Sequence, residues 1–318
     1  MEDRPRGVLL LNLGGPDSLS AVRPFLFNLF SDRDIIRLGP ALLQKPVAGM
    51  ISLMRAPKTR SLYKLIGGGS PINEITRAQA DALQESLEPH GNYRVYFGMR
   101  YWHPFIRDAL EKMYDDGIRN MTALSLYPHN SVATTGSAYS EVKRCLKKYD
   151  IEPVFAGPWY NNPDYITALY NLIIESIDKN EKYRVILYSA HSLPESFIAG
   201  GDPYKEHIEA TIGLLNARLA ENGYLIESYL AFQSRSGPVK WLEPSTGDMI
   251  KELGEKGVRD LTVVPISFVS DHIETLYEID ILYKGLASTH GINLKRTRSL
   301  NTDPLFIKAL KNIVLNYN

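Results

Sequence analysis

Short apolar runs alternate with longer amphipathic segments along most of the chain. The run at residues 261–268, LTVVPISF, is rich in β-branched residues and ends at Ser270-Asp271, which can cap a following helix. Continuous apolar runs of this length are typical of parallel strands that are covered on both faces. Strands are predicted in this way at residues 7–13, 93–98, 121–127, 151–155, 184–190, 226–232, 261–268 and, more weakly, 292–295.

The alternation of strands with helices predicts an α/β fold with parallel, doubly wound sheets. An internal similarity divides the chain, because GIRNMT at 117–122 recurs as GVRDLT at 257–262, each time between a helix and an apolar strand. Further upstream, FGMR at 97–100 is matched by FQSR at 232–235. We therefore predict two similar Rossmann-like halves, each a four-stranded parallel sheet flanked by helices, at 1–160 and 161–318. Chance similarity between α/β units is the alternative.

Polar side chains follow two of the apolar strands, the fifth and the seventh. His191 ends the fifth, and on the helix after the seventh Asp271, Glu274 and Glu278 lie at positions i, i+3 and i+7. Ligands bind outside the carboxyl ends of strands in such sheets, so these groups are expected to face one crevice. Imidazole and carboxylates together suit the binding of a divalent cation or the transfer of protons. A solvated acidic helix face beside a hydrogen-bonded histidine is the alternative.

His191 and Glu274 offer one borderline and one hard metal ligand without a thiolate. Such a pair holds ferrous iron loosely enough to pass it to a better ligand, which metal transfer requires. His272 is adjacent to Asp271, so its side chain is expected to point away from the acidic row and to have a supporting role.

The segment from residue 35 to residue 73 contains no Asp or Glu, whereas Arg and Lys alternate there with Leu, Ile, Val and Met. We call this segment the lip. An apolar, cationic segment could rim a pocket for an apolar anionic ligand or rest on anionic lipid. A lid helix with a solvated basic face is the alternative.

Composition narrows the function by exclusion. Lys and Arg number 36 and Asp and Glu number 36, so nothing indicates nucleic acid as a partner. Cys145 is the single cysteine, which is typical of a reducing compartment and predicts a cytoplasmic location. No apolar run approaches the roughly 18 residues of a membrane span, and the polar start at 1–6 does not indicate a signal sequence. The glycines at 14–15 and 67–69 lack the spacing of nucleotide-binding loops, and are expected to allow tight turns.

From end to end these residues resemble the ferrochelatase family, whose members insert ferrous iron into protoporphyrin to make haem. The motifs that carry the resemblance are LLNLGGP (10–16), FLFNLFSDRDII (25–36), YKLIGGGSPI (63–72), RY (100–101), YPHNSVATTG (127–136), SAHSLP (189–194), GDPY (201–204), QSRSGPVKWLEP (233–244) and SFVSDHIETLYEID (267–280).

The resemblance implies a porphyrin cleft between the two halves and no nucleotide. It identifies His191 and Glu274 as the catalytic and iron-binding residues, and Asp271, His272 and Glu278 as supporting residues. His191 then accepts the pyrrole protons or guides the metal, and the two glutamates conduct ions or protons. The residues that it places near the porphyrin are Tyr63, Ser70, Arg100, Tyr101, Tyr127, Trp241 and Phe268.

In this interpretation Fe2+ is a substrate and no resident cofactor is expected. Some family members bind an iron–sulfur cluster through cysteines of a carboxyl-terminal extension, and no such cluster is expected for this chain. The chain departs from the family at Leu282, where another acid is frequent, and Asp280 is a candidate substitute. Coproporphyrin or another metal as substrate, and a tetrapyrrole-binding module without turnover, remain alternatives. Peripheral membrane contact through the lip is expected, and both a monomer and a homodimer stay open.

Overall fold

The structure, a computed structural model, describes residues 5–177 and 183–317. The sequence predicts that the polar start at 1–6 is not a signal sequence. Residues 1–4 of this start lie outside the residues that the structure describes. Within the two described ranges, no helix combines the length and the apolar character that crossing a bilayer requires.

The chain divides into two compact units. The first unit runs to Pro158 and resumes at Ile307, and the second occupies the residues between. In the first unit, the Tyr317 hydroxyl accepts a 2.8 Å hydrogen bond from the amide of Gly157. The sequence predicts that residues 307–318 belong to the second half, whereas in the structure the segment from Ile307 onward belongs to the first unit. The apolar face of a helix does not indicate which of two hydrophobic cores it packs against.

The first unit is built on a parallel sheet of four strands. Leu9 and Leu11 are fully buried and share a hydrophobic cluster with Leu110 and Val142 of the flanking helices. The strands are β1 (Arg6–Asn12), β2 (Tyr93–Met99), β3 (Asn120–Ser125) and β4 (Glu152–Phe155), in the spatial order β2-β1-β3-β4.

The second unit repeats this architecture. Its strands are β5 (Tyr183–His191), β6 (Leu225–Gln233), β7 (Asp260–Pro265) and β8 (Asn293–Arg296), in the order β6-β5-β7-β8. In both units the first strand along the chain lies between the second and the third, and all pairs are parallel. The predicted fold class of two similar halves with four-stranded parallel sheets is confirmed.

Helices connect the strands. The α-helices are α1 (Val22–Ser31), α2 (Gln44–Lys64), α3 (Ile72–Leu87), α4 (Ile106–Asp115), α5 (Ser137–Leu146), α6 (Pro163–Ser176), α7 (Glu195–Ala199), α8 (Tyr204–Glu221), α9 (Thr246–Glu255), α10 (Lys284–Thr289) and α11 (Pro304–Asn316). Two π-helices, Val132–Gly136 and Glu274–Tyr283, follow β3 and β7, and short 3-10 helices lie at Ala41–Leu43 and Glu88–His90.

The sequence similarity between GIRNMT and GVRDLT reflects a shared helix end. Gly117 and Gly257 both have left-handed backbone, with φ of +83° and +86°, which glycine adopts without a side-chain clash. The residue after each glycine donates a hydrogen bond back to the helix, of 2.9 Å from Ile118 and 3.0 Å from Val258. Each turn then leads into the third strand of its unit.

The second similarity, between FGMR and FQSR, is displaced by two residues. The Met99 amide donates to the Pro104 carbonyl at 2.7 Å, as the Phe232 amide does to the Pro244 carbonyl at 2.9 Å. Met99 therefore corresponds to Phe232, whereas the sequence similarity aligned Phe97 with Phe232. Side chains alternate along a strand, so a shift of two preserves the pattern of facing residues and is invisible in the sequence.

Candidate active site

The candidate site of the second unit lies where three of its strands end. β5 ends at His191, β6 ends at Gln233, and the π-helix that begins at Glu274 follows β7. Because the carboxyl ends of parallel strands meet at one edge of a sheet, the structure brings these side chains together.

The imidazole of His191 is hydrogen-bonded to the carboxylate of Glu274, with 2.9 Å between Nδ1 and Oε2. The two side chains are 36% and 19% exposed. The backbone of His191 is fixed on both sides, since its amide donates to Ser267 Oγ and its carbonyl accepts from the Tyr204 hydroxyl, each at 2.9 Å. With Nδ1 engaged, Nε2 is the ring nitrogen that remains to meet a ligand.

His272 also approaches the carboxylate. Its Nδ1 lies 3.0 Å from the Ser270 carbonyl oxygen and therefore carries a proton, and its Nε2 lies 3.7 Å from Glu274 Oε2. The ring stands edge-on to Phe268, with 4.6 Å between the centroids. The prediction that His272 points away from the acids was wrong, because the helix begins only after it and helical spacing does not apply.

Asp271 lies outside the acidic row for the same reason. Its carboxylate accepts hydrogen bonds of 2.9 Å from Asn301, 2.7 Å from Ser299 and 3.0 Å from Arg296. The predicted row of three acids on one face therefore contains only the two glutamates.

Glu278 is held by two neutral donors. Its Oε2 accepts hydrogen bonds of 2.6 Å from the Ser234 hydroxyl and 3.0 Å from Gln233 Nε2. The same Gln233 Nε2 lies 2.9 Å from the Glu274 carbonyl oxygen, so one amide group orients both turns of the helix. Sequence reasoning missed Gln233 and Ser234, although the QSR motif contained both of them.

The two glutamates differ in their pKa values. Burial raises the pKa of Glu278 and the negative charge of Glu274 adds to this, so that its pKa rises to about 7 despite its hydrogen bonds. Burial also raises the pKa of Glu274. The charge and hydrogen bond of His191 and the contact with His272 outweigh burial, so the pKa of Glu274 is lowered. Burial lowers the pKa of His191, but Glu274 outweighs this effect and the pKa is raised. Near neutral pH Glu274 is thus ionised, whereas Glu278 can take up and release a proton.

The acidic row does not continue beyond Glu278. Leu282 is 47% exposed at the next position of this face, given about four residues per turn of a π-helix. Asp280 is directed elsewhere, because its two carboxylate oxygens bind Arg296 at 2.9 and 2.8 Å. Asp280 therefore does not substitute for the missing acid.

In the first unit, Arg100 and Tyr101 belong to a buried network around Asp32. The Oδ2 atom of Asp32 accepts hydrogen bonds of 2.6 Å from the Tyr101 hydroxyl and 2.7 Å from the Ser137 hydroxyl, and lies 2.8 Å from Arg100 Nη2. Burial raises the pKa of Asp32, but these hydrogen bonds and the charge of Arg100 outweigh it and lower the pKa. Sequence reasoning missed Asp32 and Ser137, because their partners lie far away along the chain.

The other predicted porphyrin contacts are distributed over both units. Tyr63 ends the buried face of α2, Ser70 is buried in the glycine loop, and Phe268 follows β7 beside His272. Trp241 pairs through its backbone with Pro194, and its buried Nε1 has no hydrogen-bond partner among residues 5–177 and 183–317. In the first unit, a small pocket is lined by Asn12, Leu13, Arg100, Tyr101, Tyr127, Ala133, Thr134 and Ala138.

The two carboxylates Asp32 and Glu278 have different surroundings in their units. Ser137 and Glu278 each precede a residue that is buried in the hydrophobic cluster of its unit, Ala138 and Ile279 respectively. Ser137 accepts from Arg100 Nε at 2.9 Å, just as Glu278 accepts from Gln233. In the first unit, the guanidinium of Arg100 pairs with Asp32 and keeps this carboxyl group ionised. In the second unit, Glu278 accepts hydrogen bonds from neutral donors, so it can still take up and release a proton.

The site offers few metal ligands. Among the residues that the structure describes, no three His, Cys, Asp or Glu side chains are grouped so that they could hold a metal ion. The direct contact of His191 with Glu274 gives two candidate ligands.

Comparison with known proteins gives a consistent picture. The model of the ferrochelatase family matches residues 5–317. A ferrochelatase of Desulfotalea psychrophila is 50% identical over 99% of this chain and 98% of its own length. A ferrochelatase of Geotalea uraniireducens is 52% identical over 96% of each chain. Among solved structures, SirB from Bacillus subtilis with Fe3+ has a TM-score of 0.57 at 15% identity, covering 98% of this chain and 95% of its own, and shares the fold.

Proposed function

Because this chain belongs to the ferrochelatase family, we propose that it inserts Fe2+ into protoporphyrin IX, releasing two protons and forming protohaem as the terminal step of haem biosynthesis. Family membership makes the chain a lyase that acts on a porphyrin and ferrous iron. The observation that supports the assignment of the site is the hydrogen bond between His191 and Glu274. We assign both residues as catalytic and metal-binding.

The reaction exchanges two pyrrole N–H protons for one Fe2+, so the site needs a base and a path for protons. Nδ1 of His191 is engaged by Glu274, so we assign both iron binding and proton acceptance to Nε2, which takes up a proton only when it does not hold iron. The ionised Glu274 stabilises the imidazolium that forms when His191 accepts a proton. Glu278, with a pKa of about 7, passes protons onward at physiological pH.

Iron is cargo in this reaction, and its ligands must release it. An imidazole and a carboxylate without a thiolate favour weak binding of Fe2+, in contrast to closed cysteine cages. Transfer to four pyrrole nitrogens is then downhill. Asp271 and His272 support the pair by fixing the start of the helix.

The porphyrin is assigned to Tyr63, Ser70, Arg100, Tyr101, Tyr127, Trp241 and Phe268. Support comes from the position of Arg100, Tyr101 and Tyr127 around one small pocket, and from the buried Trp241 indole N–H. We favour protoporphyrin over coproporphyrin because the lip is apolar, which suits a porphyrin with two carboxylates rather than four. Initial rates with both porphyrins and with Fe2+, Co2+ and Zn2+ test this preference.

We further propose that the lip contacts the surface of a membrane from a cytoplasmic location. Leu42, Met50, Leu53 and Met54 are all exposed on or beside α2, and the basic residues of the same segment suit anionic headgroups. Co-sedimentation with anionic liposomes at low and high salt tests the contact. Protein that stays in the supernatant under both conditions argues against it.

The decisive experiment is anaerobic mixing of the protein with Fe2+ and protoporphyrin IX, followed by absorbance. We expect loss of free porphyrin with the unmodified chain and none with His191→Ala or Glu274→Gln. Both variants should still bind porphyrin, observed as quenching of tryptophan fluorescence. Unchanged free porphyrin with the unmodified chain would reject catalysis, and full turnover by both variants would reject this site.

A further inference from the structure

A buried arginine connects the last strand of the second sheet with the helix that carries the two glutamates. Arg296 ends β8 and its side chain is 10% exposed. Its Nε and Nη2 bind the two carboxylate oxygens of Asp280 at 2.9 and 2.8 Å, and its Nη1 lies 3.0 Å from Asp271 Oδ1. One guanidinium thus binds two carboxylates.

The residues after Arg296 strengthen the same connection. Ser299 and Asn301 donate to the Asp271 carboxylate at 2.7 and 2.9 Å, and the Asn301 carbonyl oxygen Oδ1 accepts from the Asp271 amide at 3.0 Å. The Asn301 amide donates to the Val269 carbonyl at 2.8 Å, from a left-handed backbone with φ of +46°. The segment after β8 therefore fixes the residues that lead into the helix, from Val269 to Asp271.

The two carboxylates bound by Arg296 flank the functional segment. Asp271 precedes Glu274, and Asp280 follows Glu278. A shift of the helix relative to the sheet would move both glutamates away from His191, which is anchored on β5. Because Arg296 holds the helix before and after the glutamates, it opposes such a shift.

We propose that Arg296 is a positioning residue for metal insertion, setting the distance between Glu274 and His191 through Asp271 and Asp280. This inference rests on the proposed function of that pair. Arginine suits the task because its planar group presents donors in a fixed fork, whereas lysine is a single point charge that cannot bind both acids with defined geometry.

Two variants test the proposal while preserving the fold. Asp280→Asn weakens the two hydrogen bonds between Arg296 and the partly exposed side chain of residue 280, and leaves Arg296 paired with Asp271. Arg296→Lys keeps the charge and removes the fork. The matched control is Arg298→Met, which removes contacts of the same segment with Glu175 and Asp303 that do not reach the helix.

The measurements are kcat with Fe2+, Co2+ and Zn2+, together with porphyrin affinity from fluorescence quenching. Misplaced catalytic groups cost up to about 100-fold in rate, so we expect kcat with Fe2+ to fall about tenfold in both variants. Porphyrin affinity should be unchanged, and the relative rates with the three metals should change because the metals differ in preferred geometry. The Arg298→Met variant should behave as the unmodified chain.

Equal loss of rate with all three metals would overturn the proposal, because a smaller folded fraction lowers every rate by the same factor. Unchanged rates, or weakened porphyrin binding, would also overturn it. Glu274→Gln measured in parallel separates this inference from the function on which it rests. If Glu274→Gln abolishes insertion while Asp280→Asn and Arg296→Lys do not lower it, the positioning role alone is rejected. If Glu274→Gln retains full insertion, the proposed site is rejected.

Discussion

The hydroxyl of Ser234 donates a 2.6 Å hydrogen bond to Glu278 from a left-handed backbone conformation, with φ of +67°. This conformation costs a residue with a side chain roughly 1–2 kcal/mol, and such strain persists where the surrounding structure imposes it. Ser234 corresponds to Tyr101 of the first unit, whose hydroxyl also donates to a carboxylate. Corresponding positions of the two units thus both donate a hydroxyl hydrogen bond to a carboxylate, although the carboxylates lie on different elements.

Removal of the Ser234 hydroxyl should raise the pKa of Glu278. A hydrogen bond to a carboxylate favours its charged form, so without it the pKa should move above the present value of about 7. We expect the pH–rate profile of iron insertion to shift to higher pH in both Ser234→Ala and Ser234→Gly. Glycine also relieves the backbone strain, so Ser234→Gly should have the higher thermal midpoint of the two. Unshifted profiles in both variants would contradict the role of the hydroxyl.

The pKa of His191 should fall in Glu274→Gln. The negative charge and the hydrogen bond of Glu274 raise the pKa of His191 against the effect of burial, and glutamine removes the charge. Titration of the histidine side chains by NMR measures the change directly. Glu195→Gln is the control, because Glu195 pairs with the exposed Lys240 and should leave His191 unchanged. An unaltered His191 titration in Glu274→Gln would contradict the coupling.

Asp32→Asn should destabilise the protein far more than Asp34→Asn. The Asp32 side chain is 5% exposed and pairs with Arg100, and removing one partner of a buried pair costs about 3–5 kcal/mol. Asp34 pairs with Arg144 at the surface, where such pairs contribute about 0–1 kcal/mol. Urea unfolding at pH 7 measures both changes. Equal midpoints in the two variants would contradict the buried network.

The same network should contribute to acid sensitivity. The pKa of Asp32 is lower in the folded protein than the 3.8 of a free side chain, so its stabilisation is complete above that value and is lost as the pH falls towards the folded pKa. Urea midpoints measured between pH 7 and acid conditions should fall less steeply in Asp32→Asn than in the unmodified chain. A parallel decline would show that other groups dominate.

Gly15→Ala should displace Ser70 and weaken porphyrin binding. A Cβ atom at Gly15 would lie 2.6 Å from both Cβ and Oγ of Ser70, which is too close for either to stay in place. Overpacking of this kind costs about 1–3 kcal/mol. Gly49→Ala within α2 is the control, because the described atom nearest to its Cβ would be in Phe27 at 3.9 Å, and alanine should stabilise the helix by up to about 1 kcal/mol. Fluorescence quenching and thermal unfolding report the two effects.

The sheets could be predicted from the sequence because their strands are continuous apolar runs. The weak strand predicted at 292–295 is β8 (Asn293–Arg296), and the strand predicted at 7–13 is β1 (Arg6–Asn12). Strand ends also indicated His191 and the helix start as neighbours, since parallel strands end at one edge. The local pattern did not predict the hydrogen bonding of the helix after β7, which is a π-helix from Glu274 to Tyr283.

Partners distant along the chain account for the remaining differences. Asp271 was assigned to the acidic row by its spacing, but Arg296 and Asn301, which follow it by more than twenty residues, bind it instead. Asp32 was overlooked because Arg100 and Ser137, which bind it, follow it by more than sixty residues along the chain. Spacing predicts which residues share an element, whereas their contacts depend on what the fold brings from elsewhere.

The first unit is discontinuous in the sequence, because it lacks its last segment until residue 307 and beyond have been added. During synthesis, the ribosome has therefore translated the whole second unit before the first has all of its parts. Truncation of the chain after the second unit should leave the amino-terminal unit incomplete, with Gly157 deprived of the hydroxyl of Tyr317. The second unit is thus expected to complete its fold before the first, although synthesis of the first unit starts earlier.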